Sequence, residues 1–185
     1  MNKKVNIYMI SVMGLLIALI VVLWNFLAIE TQFLKISFDF VPKMIIGILL
    51  GPFWSAIGAL LADIIGNTLF LKAPFFIGFT LNKLIEGYFY GAFFYKKNIN
   101  WRNTILCTLS ITILINFILT PFWLSIMYNV PIDSLAIWIP RLIKTAIVFP
   151  IQVVLIHKIG NSLPIDRISR SFRHNEINIT ENNTE

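Results

Sequence analysis

Residues 5–29 carry no charged side chain. At about 1.5 Å per helical residue such a run crosses the roughly 30 Å hydrocarbon core of a bilayer with length left for tilt. Five more apolar runs follow. Residues 40–54 are broken only by Lys43, residues 55–71 only by Asp63, and residues 74–95 only by Lys83 and Glu86. Residues 103–132 have no charge but contain Pro121, and residues 134–156 contain only Arg141 and Lys144. Gly51-Pro52 separates the second run from the third, and Lys72-Ala73-Pro74 the third from the fourth. Composition agrees: 57% of residues are hydrophobic and 13% charged, against about 45–50% and about 25% in soluble domains. The expected fold is therefore an all-α integral membrane bundle of six transmembrane helices over residues 1–160. Residues 161–185 form a polar tail expected to be disordered. Lys3 and Lys4 before the first run also suit a signal peptide, but the run is too long for one and no A-x-A-like cleavage site follows.

The basic surplus, 15 Lys and Arg against 9 Asp and Glu, has a topological explanation. Lys3, Lys4, Lys96, Lys97, Arg102, Lys158, Arg167, Arg170 and Arg173 all fall on one side of a six-span arrangement, and only Lys35 and Lys72 fall in loops on the other. That asymmetry places both termini in the cytoplasm and the loops at residues 30–39, 72–74 and 127–134 outside. Nucleic acid is not needed to account for the charge.

Six ionisable residues lie within the spans: Lys43, Asp63, Lys83, Glu86, Arg141 and Lys144. Each is costly if it faces lipid, so each needs a partner or a wet cavity. Lys83 and Glu86, at i,i+3, read as an internal pair, with Asp63 a competing partner for Lys83. Four cations against two anions leave a positive surplus, which points to an anionic ligand. Arg141 and Lys144 share one helix face roughly 10 Å into the sixth span, and Lys43 sits in the same outer half. The alternative for Arg141 and Lys144 is snorkelling to the outer headgroups.

Aromatics gather at the same level: Phe75, Phe76, Phe79, Phe122, Trp123, Tyr128 and Trp138. Each alone fits an interfacial belt. Beside a cationic cluster they also make walls for a flat ring with an acid tail. Asn82, Asn116, Thr120 and Gln152 supply neutral hydrogen-bonding groups, and Pro121 is expected to free the carbonyl of Phe117. Small residues mark other faces: Ser11, Gly14 and Ala18 on the first helix, Gly47 and Gly51 on the second, Ser55, Ala59 and Asp63 on the third. Such rows permit close backbone approach, either within the bundle or against another membrane protein.

Catalytic signatures are missing from the sequence. It contains no phosphate loop, no H-E-x-x-H and no G-x-S-x-G. Its single cysteine, Cys107, lies in an apolar run, and no Cys/His spacing suits zinc. An enzyme would have to use Asp63 or Glu86 as a base, and neither sits in a catalytic motif. No cofactor is expected. Without an inverted repeat or an energy motif, the chain reads as a binding subunit of something larger.

The segments Ser-Val-Met-Gly-Leu-Leu-Ile-Ala (11–18), Ile-Ser-Phe-Asp-Phe-Val-Pro (36–42) and Gly-Pro-Phe-Trp-Ser-Ala-Ile-Gly-Ala-Leu-Leu-Ala-Asp-Ile-Ile-Gly (51–66) carry a family resemblance. Gly-Phe-Thr-Leu-Asn-Lys-Leu-Ile-Glu-Gly (78–87), Thr-Pro-Phe-Trp-Leu (120–124) and Pro-Arg-Leu-Ile-Lys (140–144) complete it. The chain resembles the substrate-binding S components of energy-coupling factor (ECF) transporters, and within them the folate-specific branch. The resemblance covers residues 5–160. It implies a vitamin-binding subunit in a bacterial cell membrane, not an enzyme, with an outward pocket built from the first loop and helices four to six. It implies two kinds of partner: a T-type membrane protein and two cytoplasmic ATPases. The binding candidates are Arg141, Lys144, Lys43, Trp123, Phe38, Asn82, Asn116 and Trp138, and the docking candidates Ser11, Gly14 and Ala18. The alternative within the family is another anionic or flat-ring nutrient.

Overall fold

The computed structural model describes residues 7–31, 34–70 and 75–162. Lys3, Lys4, Lys72, Arg167, Arg170 and Arg173, and the tail from residue 163, lie outside the described residues. Six helical rods make the bundle: α1 (Ile7–Asn25), α2 (Phe40–Leu50), α3 (Pro52–Phe70), α4 (Ile77–Phe94), α5 (Trp101–Tyr128) and α6 (Leu135–Ser162). The expected all-α bundle with six helices is what the structure shows, with one addition. The loop after α1 holds two short antiparallel strands, β1 (Ile29–Thr31) and β2 (Leu34–Ile36), registered Ile29 opposite Ile36 and Thr31 opposite Leu34. The strands pair each other's backbone groups where no helix could continue.

By length and apolarity α1, α3, α5 and residues Ile137–Ser162 of α6 are each sufficient to cross a membrane. At 11 residues α2 is shorter. The turn between α2 and α3 is made by Gly51 at φ 95°, a conformation that favours glycine, followed by Pro52 at the first helical position. Central α4 takes α2, α3 and α5 against its sides. Its glycines permit this. A Cβ on Gly91 would strike the backbone of Pro52, and one on Gly87 the carbonyl of Ser55. A Cβ on Gly47 would lie 2.7 Å from the Gly91 nitrogen.

The small-residue rows therefore have different roles. Those of α2 and α3 pack on α4 inside the bundle. On α1, Ser11, Gly14 and Ala18 are exposed, and a Cβ on Gly14 would meet nothing within 4 Å. The buried face of α1 is instead Met9, Met13, Leu16 and Ile20, packed against α2 and α3.

One end of the bundle joins the α4–α5 turn to the end of α6. Asn161 Nδ2 donates to the Ile99 carbonyl at 3.1 Å, and Trp101 stacks on His157 with ring centroids 4.0 Å apart. Lys96, Lys97, Arg102 and Lys158 cluster near this end. Within α5, the eight residues Thr112–Leu119 wind as a π-helix before α-helical winding resumes. Asn129, at φ 55°, ends the rod in the left-handed conformation that asparagine tolerates.

Candidate functional site

Asp39 opens α2, and its place is set by the preceding turn. Ser37 Oγ donates to the Leu23 carbonyl at 3.1 Å and accepts from the Asp39 N–H at 3.2 Å, tying the loop to α1. This turns Asp39 inward and buries it. Its carboxylate pairs with Lys43 one helical turn later and with Lys83 Nζ at 3.2 Å. Lys43 Nζ also lies 2.7 Å from Glu86 Oε2, and Lys83 lies 3.7 Å from the same oxygen. Lys83 Nζ stands 3.4 Å from the ring centroid of Trp24 on α1. Two lysines and two carboxylates thus form one neutral buried cluster joining α2 and α4.

That cluster changes the charge arithmetic. Asp39 read as an acid of the outer loop and is in fact a third buried anion. Its signal was present in the sequence: Asp39 and Lys43 stand at i,i+4. The expected pair Lys83–Glu86 is present at the longer distance, whereas Lys43 takes the shorter bond to Glu86. Lys43 is fully buried in these ion pairs and does not line the cavity described next, so the structure gives it a supporting position rather than a ligand-facing one. Asp63 pairs with no lysine among the described residues; its Oδ2 accepts from Thr80 Oγ1 at 2.7 Å.

A cavity of about 280 Å³ opens beside the cluster, between α1, α3, α4, α5, α6 and the segment leading into α2. Arg141 and Lys144 reach it from α6, Asn82 and Phe79 from α4, Asn116 and Thr120 from α5, and Trp24 from α1. Phe40, Phe76, Tyr128 and Phe149 add aromatic wall, and Gln152, which donates to Tyr90 Oη at 2.7 Å, closes one side. Arg141 and Lys144 have no acid within salt-bridge distance among the described residues. Arg141 is 4% exposed, which excludes snorkelling to headgroups. Its Nε and the neighbouring Thr145 Oγ1 are buried without a hydrogen-bond partner among the described residues. Buried groups of this kind ordinarily have partners.

The π segment explains how Arg141 is held. Thr120 donates its backbone N–H to Ile115, five residues back, and its Oγ1 donates to the same carbonyl at 2.6 Å. In that register the donor missing from Pro121 frees the carbonyl of Asn116, not of Phe117 as an unbroken α-helix would require. Arg141 Nη1 donates to the Asn116 carbonyl at 3.0 Å. One edge of the guanidinium is thereby fixed where Arg141 lines the cavity.

The other candidates divide. Asn82 and Asn116 line the cavity. Asn82 Nδ2 donates to Thr120 Oγ1 at 3.1 Å and its Oδ1 accepts from Trp123 Nε1 at 3.1 Å, so Trp123 acts behind the wall, packed on Phe76. Trp138 donates Nε1 to the Ile132 carbonyl at 2.6 Å and stacks on Phe117, away from the cavity. Phe38 is exposed beside Phe40 and does not line the cavity. Trp24, Thr112, Thr145 and Asn67 line it without a sequence signal strong enough to single them out; only burial on a common wall identifies them.

The helical bundle thus holds a preformed, aromatic-walled cavity that suits a small molecule, with two cations that pair with no acid among the described residues. The chain belongs to the substrate-specific components of ECF transporters: the model of that family matches residues 9–160. It is 34% identical to the folate transporter FolT of Clostridium novyi over 90% of this chain and 93% of that one. Identity to the folate transporter FolT of Leuconostoc mesenteroides is 33% over 91% and 93%. A crystal structure of FolT bound with folic acid superimposes with a TM-score of 0.83 at 52% identity, covering 85% of this chain and 95% of that chain.

Proposed function

We propose that this chain is the folate-binding subunit of an ECF importer in a bacterial cell membrane. The observation that carries the reading is the pair Arg141 and Lys144. They face one cavity without acid partners among the described residues, between aromatic walls suited to a flat ring. Folate combines a flat pterin and benzoate with a glutamate bearing two carboxylates. Its acid end supplies the anion and its rings the stacking surface. The similarity to FolT proteins supports the same assignment. Arg141 and Lys144 hold the carboxylates, and Asn82, Asn116 and Thr120 offer neutral contacts. The cavity opens outward and both termini are cytoplasmic, which the placement of Lys96, Lys97, Arg102 and Lys158 at one end supports. Residues 161–185 form a cytoplasmic tail.

The chain has no phosphate loop, so its energy comes from a T-type membrane protein and two cytoplasmic ATPases. The exposed row Ser11, Gly14 and Ala18 docks the T-type partner, since small residues permit close helix approach in lipid. Equilibrium titration of the purified, detergent-solubilised chain with folate, 5-formyl-tetrahydrofolate, riboflavin and thiamine tests the reading. Folates bind and the uncharged or cationic vitamins do not; saturable binding of riboflavin or thiamine in preference to folate overturns it.

A further inference from the structure

Asp63 and Asn67 stand one helical turn apart on α3 and both line the cavity. At i,i+4 their side chains lie on one face, about 5–6 Å apart at Cβ. Asp63 is 6% exposed. Its Oδ2 accepts from Thr80, while its Oδ1 has no hydrogen bond among the described residues. A carboxylate offers about four acceptor sites, so most of its capacity is open. Asn67 also makes no hydrogen bond among the described residues, and its amide offers donors and an acceptor. No lysine or arginine pairs with Asp63 among the described residues, although Lys83 reaches Asp39 and Glu86 nearby. A buried carboxylate without a cation needs N–H or O–H donors. The cavity lining therefore carries, besides the Asp39–Lys83–Glu86 cluster, cations from α6 and a separate acid from α3.

We infer that Asp63 and Asn67 read the hydrogen-bonding edge of the ligand's ring. The edge that fits is donor, donor, acceptor: an exocyclic amine, a ring N–H and a ring carbonyl, as in a 2-amino-4-oxo-pyrimidine. Asp63 takes the two donors and Asn67 donates to the carbonyl. This inference rests on the folate reading for the identity of the ring and adds the residues that select it. It also separates two functions within one cavity: Arg141 and Lys144 select for the acid, and Asp63 with Asn67 selects for the amine-bearing ring. A ring that presents only acceptors along that edge meets the Asp63 carboxylate as a repulsion, which rejects it.

The test compares folate with 2-desamino-2-methylfolate, which keeps the glutamate and the ring carbonyl but lacks the exocyclic amine. The full chain in detergent is titrated with each, as wild type, Asp63→Asn and Asn67→Leu. Wild type prefers folate by about ten- to hundredfold, the value of one charge-assisted hydrogen bond. Asp63→Asn loses that preference and binds the two ligands within about threefold of each other. Asn67→Leu weakens both ligands alike, because both carry the ring carbonyl. Wild type that binds both ligands equally overturns the assignment, whether or not any variant folds. So does an Asp63→Asn protein that keeps the full preference. Wild type that binds neither ligand overturns the folate reading itself, and the assignment with it.

Discussion

Pro121→Ala gives the chain back one backbone N–H, and the structure states where it goes. In the π register of Thr112–Leu119, the nearest free acceptor is the Asn116 carbonyl that Arg141 Nη1 holds at 3.0 Å. The new N–H competes for that oxygen. Stability and affinity then move in opposite directions. The backbone gains a hydrogen bond of about 0.5–1.5 kcal/mol and loses the strain of an internal proline, so the thermal midpoint rises. The guanidinium loses a charge-assisted bond of about 1.5–3 kcal/mol and with it the fixed orientation of its fork. If about half of that loss reaches the bound state, folate affinity falls about four- to tenfold. The assay is a double-mutant cycle on folate binding: wild type, Pro121→Ala, Arg141→Ala and the pair. Pro121→Ala should cost affinity only while Arg141 is present. An equal loss in the Arg141→Ala background refutes the reasoning, because the proline then acts through something other than the arginine.

Three further outcomes follow from the packing. Gly14→Leu or Ala18→Trp should abolish folate uptake by cells while binding by the isolated chain persists; loss of both would mean that the row supports the bundle after all. Gly91→Ala should prevent a stable fold, since its Cβ meets the backbone of Pro52, whereas Gly14→Ala should leave the melting temperature unchanged. Lys43→Met leaves Asp39 and Glu86 sharing only Lys83 and should cost about 3–5 kcal/mol of stability, read as a large fall in melting temperature. An unchanged melting temperature would show that water already reaches the cluster.

Much of this protein is legible in the sequence because a bilayer imposes one-dimensional rules. A span must be apolar for about 20 residues, so charge-free runs mark the rods directly. Breaks are chemical: Gly51-Pro52 ends α2 because Gly51 takes a positive φ that favours glycine, and the observed α3 starts at that proline. Ionisable residues inside spans announce a site for the same reason, and Arg141, Lys144, Asn82 and Asn116 do meet at one cavity.

Tertiary structure decided what depends on distance rather than order. Whether Asp39 belongs to a loop or to the core follows from the Ser37 turn, and pairing by sequence spacing could not show that Lys43 reaches Glu86 across two helices. The small-residue rows look alike in sequence; only the packing of α4 shows which are filled and which, on α1, stay open. The register of α5 is the clearest case. A proline announces that some carbonyl loses its donor, but the choice between Phe117 and Asn116 depends on winding, and the π register that ends at Thr120 leaves the Asn116 carbonyl for Arg141. Charge patterns determine which residues must find partners in lipid; three-dimensional packing determines which partners they find, because hydrogen bonds and ion pairs act over a few ångströms of space regardless of separation along the chain.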